Sequence, residues 1–135
     1  MKTQPILYLV DDDEDDRMFL SGAVQEVIEN VTIIEYNNGV DFLEKVLSDK
    51  SLMGSVLVIV DMNMPRMTGL ETIREFKANP NMANVPIVVI STSSNPELQE
   101  QAFAIGAAGY LIKPSSATGL SEIAKVIKGH FETLS

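Results

Sequence analysis

The chain has no cysteine and a single histidine, His130, among its 135 residues. A disulfide framework is thereby excluded, and so is a zinc site, whose usual ligands are thiolate sulfur and imidazole nitrogen. Positive charge is scarce as well: Lys and Arg total 10 against 19 Asp and Glu, a formal charge of −9, which opposes binding to a nucleic-acid backbone. Long apolar runs are missing. The N-terminal stretch Ile6–Val10 stops at an acidic run, far short of the roughly 20 apolar residues that a membrane-spanning helix needs. A soluble cytoplasmic protein is expected, with neither nucleic acid nor membrane as partner. Repeats, low-complexity tracts and linkers are absent too, and the length suits one domain, 1–135, with a substantial core and no room for a catalytic domain plus an effector domain.

Apolar runs of strand length alternate with helical patterns. The strand candidates are 6–10, 31–36, 55–60, 86–91 and 109–112. Between them Leu20, Ala23, Val24 and Val27 keep helical spacing, as do Val40, Leu43, Val46 and Leu47, with shorter stripes at Leu70 and Ile73 and at Leu98, Ala102 and Ile105. Asn95 before Pro96 predicts a capped helix over 96–106, Gly39 and Gly106 mark helix ends, and Leu120, Ile123, Ala124, Ile127 and Phe131 define a last helix over 119–133. Strands that are apolar on both faces require helices on both faces. The expected fold class is α/β, a doubly wound five-stranded parallel sheet of the flavodoxin-like order 2-1-3-4-5.

Three of the runs finish at charged groups. Val56–Val60 ends at Asp61, which opens Asp61-Met62-Asn63-Met64-Pro65-Arg66-Met67-Thr68-Gly69; Ile6–Val10 ends at Asp11-Asp12; Gly109–Ile112 ends at Lys113-Pro114. If the runs are neighbouring parallel strands, their carboxyl ends share one edge of the sheet and gather Asp11, Asp12, Asp61 and Lys113 into one crevice. Carboxylates that close raise one another's pKa. A divalent cation removes the conflict, and an all-oxygen donor set suits magnesium.

Each residue also has an ordinary reading. The acids 11–16 read as a solvated helix start facing the helix dipole, and the division expected here is that Asp15 and Asp16 serve the helix while Asp11 and Asp12 face the crevice. Taken alone, Asp61 is a turn residue, Lys113 a surface lysine, Ser91 a strand-end hydroxyl, Tyr110 an edge aromatic, and Met62, Met64 and Met67 are packing residues. His130 reads as a solvated helical residue. Together, an acid pair, a lone acid, a hydroxyl and a lysine from four strand ends suit phosphoryl transfer onto a carboxylate: magnesium and lysine neutralise the phosphoryl oxygens, the hydroxyl donates a hydrogen bond, and Asp61 attacks.

These same residues resemble the receiver domains of response regulators, the CheY-like family, with the likeness running from Ile6 to the final helix. Val10-Asp11-Asp12, Asp61-Met62-Asn63-Met64-Pro65 with Gly69, Ser91 after an apolar strand, and Gly109-Tyr110 with Lys113-Pro114 stand in the family's order and spacing. The resemblance implies a stand-alone regulator of a two-component phosphorelay, a phosphoacceptor signalling protein that is not an enzyme beyond assisting its own phosphorylation and dephosphorylation. It implies that Asp61 accepts the phosphoryl group, Asp12 binds magnesium directly, Asp11 binds it through water, and Asn63 through its backbone carbonyl. Ser91 and Lys113 would contact the phosphoryl group, Ser91 and Tyr110 would form the switch, and the Lys113–Pro114 bond is commonly cis in such proteins. The implied partners are a sensor histidine kinase or a histidine phosphotransfer protein upstream and a protein target downstream. With no segment expected after the last helix, output would be by protein contact. The kinase, the target and the oligomeric state are not encoded in these motifs. Thr92 departs from the pattern, which most often has a very small residue there, so access to the phosphoryl group is expected to be reduced; Asn63 and Ser93 resemble the family's rate-tuning positions. A haloacid-dehalogenase phosphatase also carries Asp-x-Asp after its first strand, but it expects Thr or Val where Asp15 stands. Flavodoxin is opposed by acids that would repel a flavin phosphate, and an unphosphorylated interaction module by the intact acid, hydroxyl and lysine set.

Overall fold

The computed structural model describes residues 4–48 and 55–134. Five strands, β1 (Ile6–Val10), β2 (Thr32–Tyr36), β3 (Val56–Asp61), β4 (Ile87–Ser91) and β5 (Gly109–Ile112), alternate with α1 (Glu14–Val27), α2 (Gly39–Ser48), α3 (Gly69–Ala78), α4 (Pro96–Ala104) and α5 (Ala117–Leu134). A single turn of 3-10 helix, Pro80–Met82, follows α3. The strands form one parallel sheet in the order β2-β1-β3-β4-β5, the doubly wound arrangement expected from the alternation.

Side chains alternate across a strand with a period of two, and the sheet uses both sides. Tyr8, Val10, Val58, Val60, Ile87 and Val89 point to one side and pack against Phe42, Leu43, Val46, Ile73, Phe76 and Ala102 of α2, α3 and α4. Leu7, Leu9, Leu57, Ile59, Val88 and Ile90 point to the other and meet Leu20 and Val24 of α1 and Ile123, Ala124, Ile127 and Phe131 of α5. β3 is buried along its whole length, which is why its sequence is a continuous apolar run without alternation. Met62 and Met64 join the first of these clusters and Met67 packs against it, as packing residues should. Among the described residues no helix is long and apolar enough to cross a membrane.

Local chemistry sets the helix ends. Asp13 caps α1, accepting from the Asp16 N–H at 3.0 Å. Thr68 and Glu71 form a reciprocal capping box at the start of α3, and Asn95 caps α4 with Pro96 in its first turn. The helix expected over 96–106 stops at Ala104, because Gly106 has left the helix at φ +106° and donates its N–H back to the Phe103 carbonyl. The last helix is longer than its apolar stripe, starting at Ala117 and ending at Leu134. The strands agree with expectation to within a residue at each end, and β3 extends through Asp61 itself.

The register brings the charged ends together. Val10 pairs with Val60, so Asp11 and Asp61 follow side by side, and Ser91 pairs with Ile112, the residue before Lys113. The chain leaves β1 toward β2 on one side and β3 on the other, opening a crevice at the carboxyl ends of β1 and β3.

Phe42 and Phe76, both fully buried, stack with ring centroids 5.7 Å apart and join α2 to α3 over the sheet. Phe76→Ala should cost about 3–5 kcal/mol in urea unfolding, whereas truncating the exposed Phe103 of α4 should change stability by less than about 0.5 kcal/mol.

Candidate functional site

Asp61 is the last residue of β3 and 4% exposed; Asp11, directly after β1, is 3% exposed. Two carboxylates at that burial need a counter-charge, and it comes from the far side of the sheet. Lys113, following β5, places Nζ 3.4 Å from Asp61 Oδ2, 3.1 Å from Asp11 Oδ2 and 2.8 Å from Asp16 Oδ2. Asp12 lies on the exposed lip, and Asp11, Asp12 and Asp61 can each offer an oxygen within 4.8 Å of the others. That spacing and donor type fit a hard divalent cation that keeps some of its water.

The electrostatics follow from burial and neighbours. Burial, then the negative charge of Asp11, pushes the Asp61 carboxyl up from 3.8 to about 7; the Lys113 charge, the Asn63 N–H at 3.4 Å and the Lys113 hydrogen bond pull the other way and only partly offset them. For Lys113 burial opposes the charge, but the hydrogen bond to Asp16 and the charges of Asp11 and Asp61 outweigh it and hold the ammonium above the usual lysine range. Lys113 is therefore charged at neutral pH, and Asp61 is the acid of the cluster that burial and its neighbour push toward holding a proton.

The loops are shaped around this point. Asp11 Oδ1 accepts the Asp13 N–H at 2.9 Å, and its backbone carbonyl accepts from the Arg17 guanidinium, which also reaches Glu35 at 3.0 Å. After β3 the chain doubles back so tightly that a Cβ on Gly69 would collide with the Asp61 carbonyl and the Met62 Cα; the Gly69 N–H donates to the Met62 carbonyl at 2.9 Å. Within the loop Arg66 takes φ 69°, closing a turn in which the Met67 N–H donates to the Pro65 carbonyl at 2.7 Å, a geometry rarely adopted by residues other than glycine. The Asn63 side chain stays exposed.

Ser91, at the end of β4, is fully buried and its Oγ accepts the Ser93 N–H at 3.1 Å. The Ser93 carbonyl in turn accepts from the Tyr110 hydroxyl at 2.8 Å. These bonds link the end of β4, through the Ser93 backbone, to the Tyr110 hydroxyl on β5. Thr92 is exposed. Among the described residues no buried side-chain polar atom lacks a hydrogen-bond partner.

Asp11, Asp12, Asp61 and Lys113 thus meet at one sheet edge, and Ser91 and Tyr110 lie on the adjoining β4 and β5, with two departures from expectation. Asp16 does not serve only the helix: its N–H is the capped group, while its carboxylate leaves the helix axis and binds Lys113. The signal available was its place three residues beyond the capping Asp13; the partner, 97 residues away, was not visible. The second concerns Lys113–Pro114, which is trans, since no cis peptide occurs among the described residues. Trans is the form that even a proline bond favours by about 0.5–1 kcal/mol. Arg17 carries no sequence signature of its contacts, because an arginine in a first helical turn has no local pattern that marks a tertiary role.

Comparison with known proteins agrees with this geometry. The family model of the response regulator receiver domain matches residues 7–125. The two-component response regulator ORR8 of Oryza sativa subsp. japonica is 28% identical over 125 residues, covering 93% of this chain and 99% of that protein. A 60-residue stretch is 40% identical to a probable cyclic di-GMP phosphodiesterase of Vibrio cholerae, but that match spans 44% of this chain and only 14% of the relative. Among solved structures, the phosphorylated cyanobacterial phytochrome response regulator RcpA superposes with a TM-score of 0.87 at 20% identity, covering 98% of this chain and 97% of that one. TrrA of Thermotoga maritima, in complex with Mg(2+)-BeF, gives 0.74 at 25% identity over 93% of this chain and 98% of that one. Matched over most of its length by the family model, and folded around the acids and lysine described above, the chain belongs to the response regulator receiver domain family of two-component systems.

Proposed function

We propose that this chain works as a receiver in the cytoplasm, taking a phosphoryl group onto Asp61 from a phosphorylated histidine of a sensor kinase or histidine phosphotransfer protein. The carrying observation is that Asp61, buried at the crevice floor, has Lys113 Nζ at 3.4 Å and the oxygens of Asp11 and Asp12 within 4.8 Å. A carboxylate stripped of water is a stronger nucleophile, and a fixed ammonium beside it stabilises the charge on the phosphoryl oxygens. An Asp61 oxygen bonds to phosphorus as the nitrogen–phosphorus bond of the donor breaks and the imidazole leaves with the bonding pair. The residues that would hold magnesium are Asp11, Asp12 and Asp61, whose oxygens lie within 4.8 Å of one another, together with the Asn63 backbone carbonyl. When bound, the ion neutralises the acid cluster and the phosphoryl oxygens. Its presence in the Mg(2+)-BeF complex of TrrA supports the same assignment here. The chain is a phosphoacceptor in this reading, with no separate substrate of its own.

Output follows from the hydrogen-bond chain. The Ser91 hydroxyl, drawn toward a phosphoryl oxygen, would disturb its bond from the Ser93 N–H, and Ser93 holds the Tyr110 hydroxyl. Tyr110 can then turn inward, altering the surface formed by α4, β5 and α5 that a protein partner reads.

Incubation with acetyl phosphate and magnesium should add one phosphoryl group, located by peptide mapping to Asp61 and labile at alkaline pH. Asp61→Asn should abolish it, while Ser91→Ala should still acquire it. A stable adduct on Ser91 or His130 would contradict the assignment.

Proton and metal compete at Asp61. Its pKa of about 7 in the folded chain exceeds the ordinary 3.8, so burying this acid penalises the fold increasingly as pH rises between those values, and fully above them. In chelator, Asp61→Asn should therefore raise the melting temperature by about 3–6 °C at pH 8 and by much less at pH 5. Magnesium affinity measured by calorimetry should increase up to about tenfold per pH unit from pH 5 to 7 and level off above, and Asp61→Asn should flatten that rise.

A further inference from the structure

The shortest contact of the Lys113 ammonium is with neither buried acid. Nζ lies 2.8 Å from Asp16 Oδ2, against 3.1 Å for Asp11 and 3.4 Å for Asp61. The two buried side chains, 4% and 6% exposed, require a cation, whereas that of Asp16 is 43% exposed and water would solvate it. Helix capping does not explain the contact either, since the Asp16 N–H is satisfied by Asp13 and its carboxylate is free of capping duty. The exposed acid therefore acts on the lysine.

An ammonium has three N–H bonds, and three carboxylates surround this one. A phosphoryl oxygen arriving on Asp61 meets a cation whose charge is already shared out. Asp61 would become part of the acyl phosphate, and Asp11 would help hold a bound metal ion. Asp16 belongs to neither group and keeps its hold. We propose that Asp16 is a positioning residue that ties Lys113 to the first turn of α1 and competes with the phosphoryl group for its charge, holding down the affinity of the crevice for a phosphoryl group. This rests on the reading of Asp61 as phosphoacceptor.

The experiment is a beryllofluoride titration of the full chain at saturating magnesium, followed by amide NMR, for the unaltered protein, Asp16→Asn, Asp16→Glu and Asp15→Asn. Asparagine keeps an oxygen acceptor in place and leaves the capped N–H untouched, so it removes charge and little else. Asp16→Asn should bind about five- to tenfold more tightly, the size of one Coulomb interaction across a partly exposed site. Asp16→Glu, which restores the charge, should return to within about twofold of the unaltered protein. Asp15→Asn, the same charge change on an exposed neighbour, should also stay within about twofold. A merely structural role for Asp16 would weaken binding in Asp16→Asn. Binding that is unchanged or weaker, or an equal gain in Asp15→Asn, overturns the tether and leaves the phosphoacceptor reading intact. An unaltered protein that takes up no beryllofluoride overturns both.

Discussion

The ammonium of Lys113 among three carboxylates is the contact on which this sheet edge depends. Parallel pairing of β1 with β3 forces Asp11 and Asp61 into adjacent positions below the surface. Two buried negative charges at that spacing would oppose the pairing that creates them, and removing a partner from such a group costs about 3–5 kcal/mol. Lys113 reaches them from β5, across β4, because the turn after Ile112 is tied down by its own N–H on the Ser91 carbonyl at 2.7 Å. The lysine thus joins both ends of the sheet's central charge problem to the strand that carries Tyr110.

That connection gives the site two responses to one added charge. In the proposed reaction a phosphoryl group on Asp61 would compete for Lys113 and for the Ser91 hydroxyl. Ser91 ends β4 and Lys113 follows its neighbour β5, so a small shift at either would be passed on through Ser93 to Tyr110. Close packing makes such rearrangements stepwise, since side chains in a filled core move between alternative positions with little room between them. The remaining carboxylate, Asp16, weights the balance from the α1 side.

Much of this was legible in the sequence, because the signals are local. Strands buried on both faces show as unbroken apolar runs, Asn95-Pro96 and Gly106 punctuate α4, and acids after the neighbouring β1 and β3 share a sheet edge with a lysine after β5, whose long side chain spans the intervening β4. Misreadings fall where the decisive partner is remote. Asp16 has the position of a helix-dipole acid and was read as one, but a lysine 97 residues away captures its side chain. Arg17 bridges the Asp11 carbonyl and Glu35 with no pattern to announce it. The Lys113–Pro114 bond is trans, where the resemblance implied that cis is common; the identity of a proline does not by itself fix the isomer. Gly69 stands in the sequence motif, but the reason for a glycine there is tertiary: its backbone lies against the Asp61 carbonyl.

The central claim is that Lys113 passes its charge from the carboxylate cluster to a phosphoryl group on Asp61. Side-chain nitrogen NMR of Lys113 tests it directly, recorded before and after magnesium and beryllofluoride, in the unaltered chain and in Asp61→Asn. The account predicts a slowly exchanging ammonium signal at rest, a clear shift on adding both reagents, and no shift in Asp61→Asn. A Lys113 signal that stays in place in the unaltered protein while beryllofluoride saturates Asp61, or that moves equally in Asp61→Asn, would contradict it.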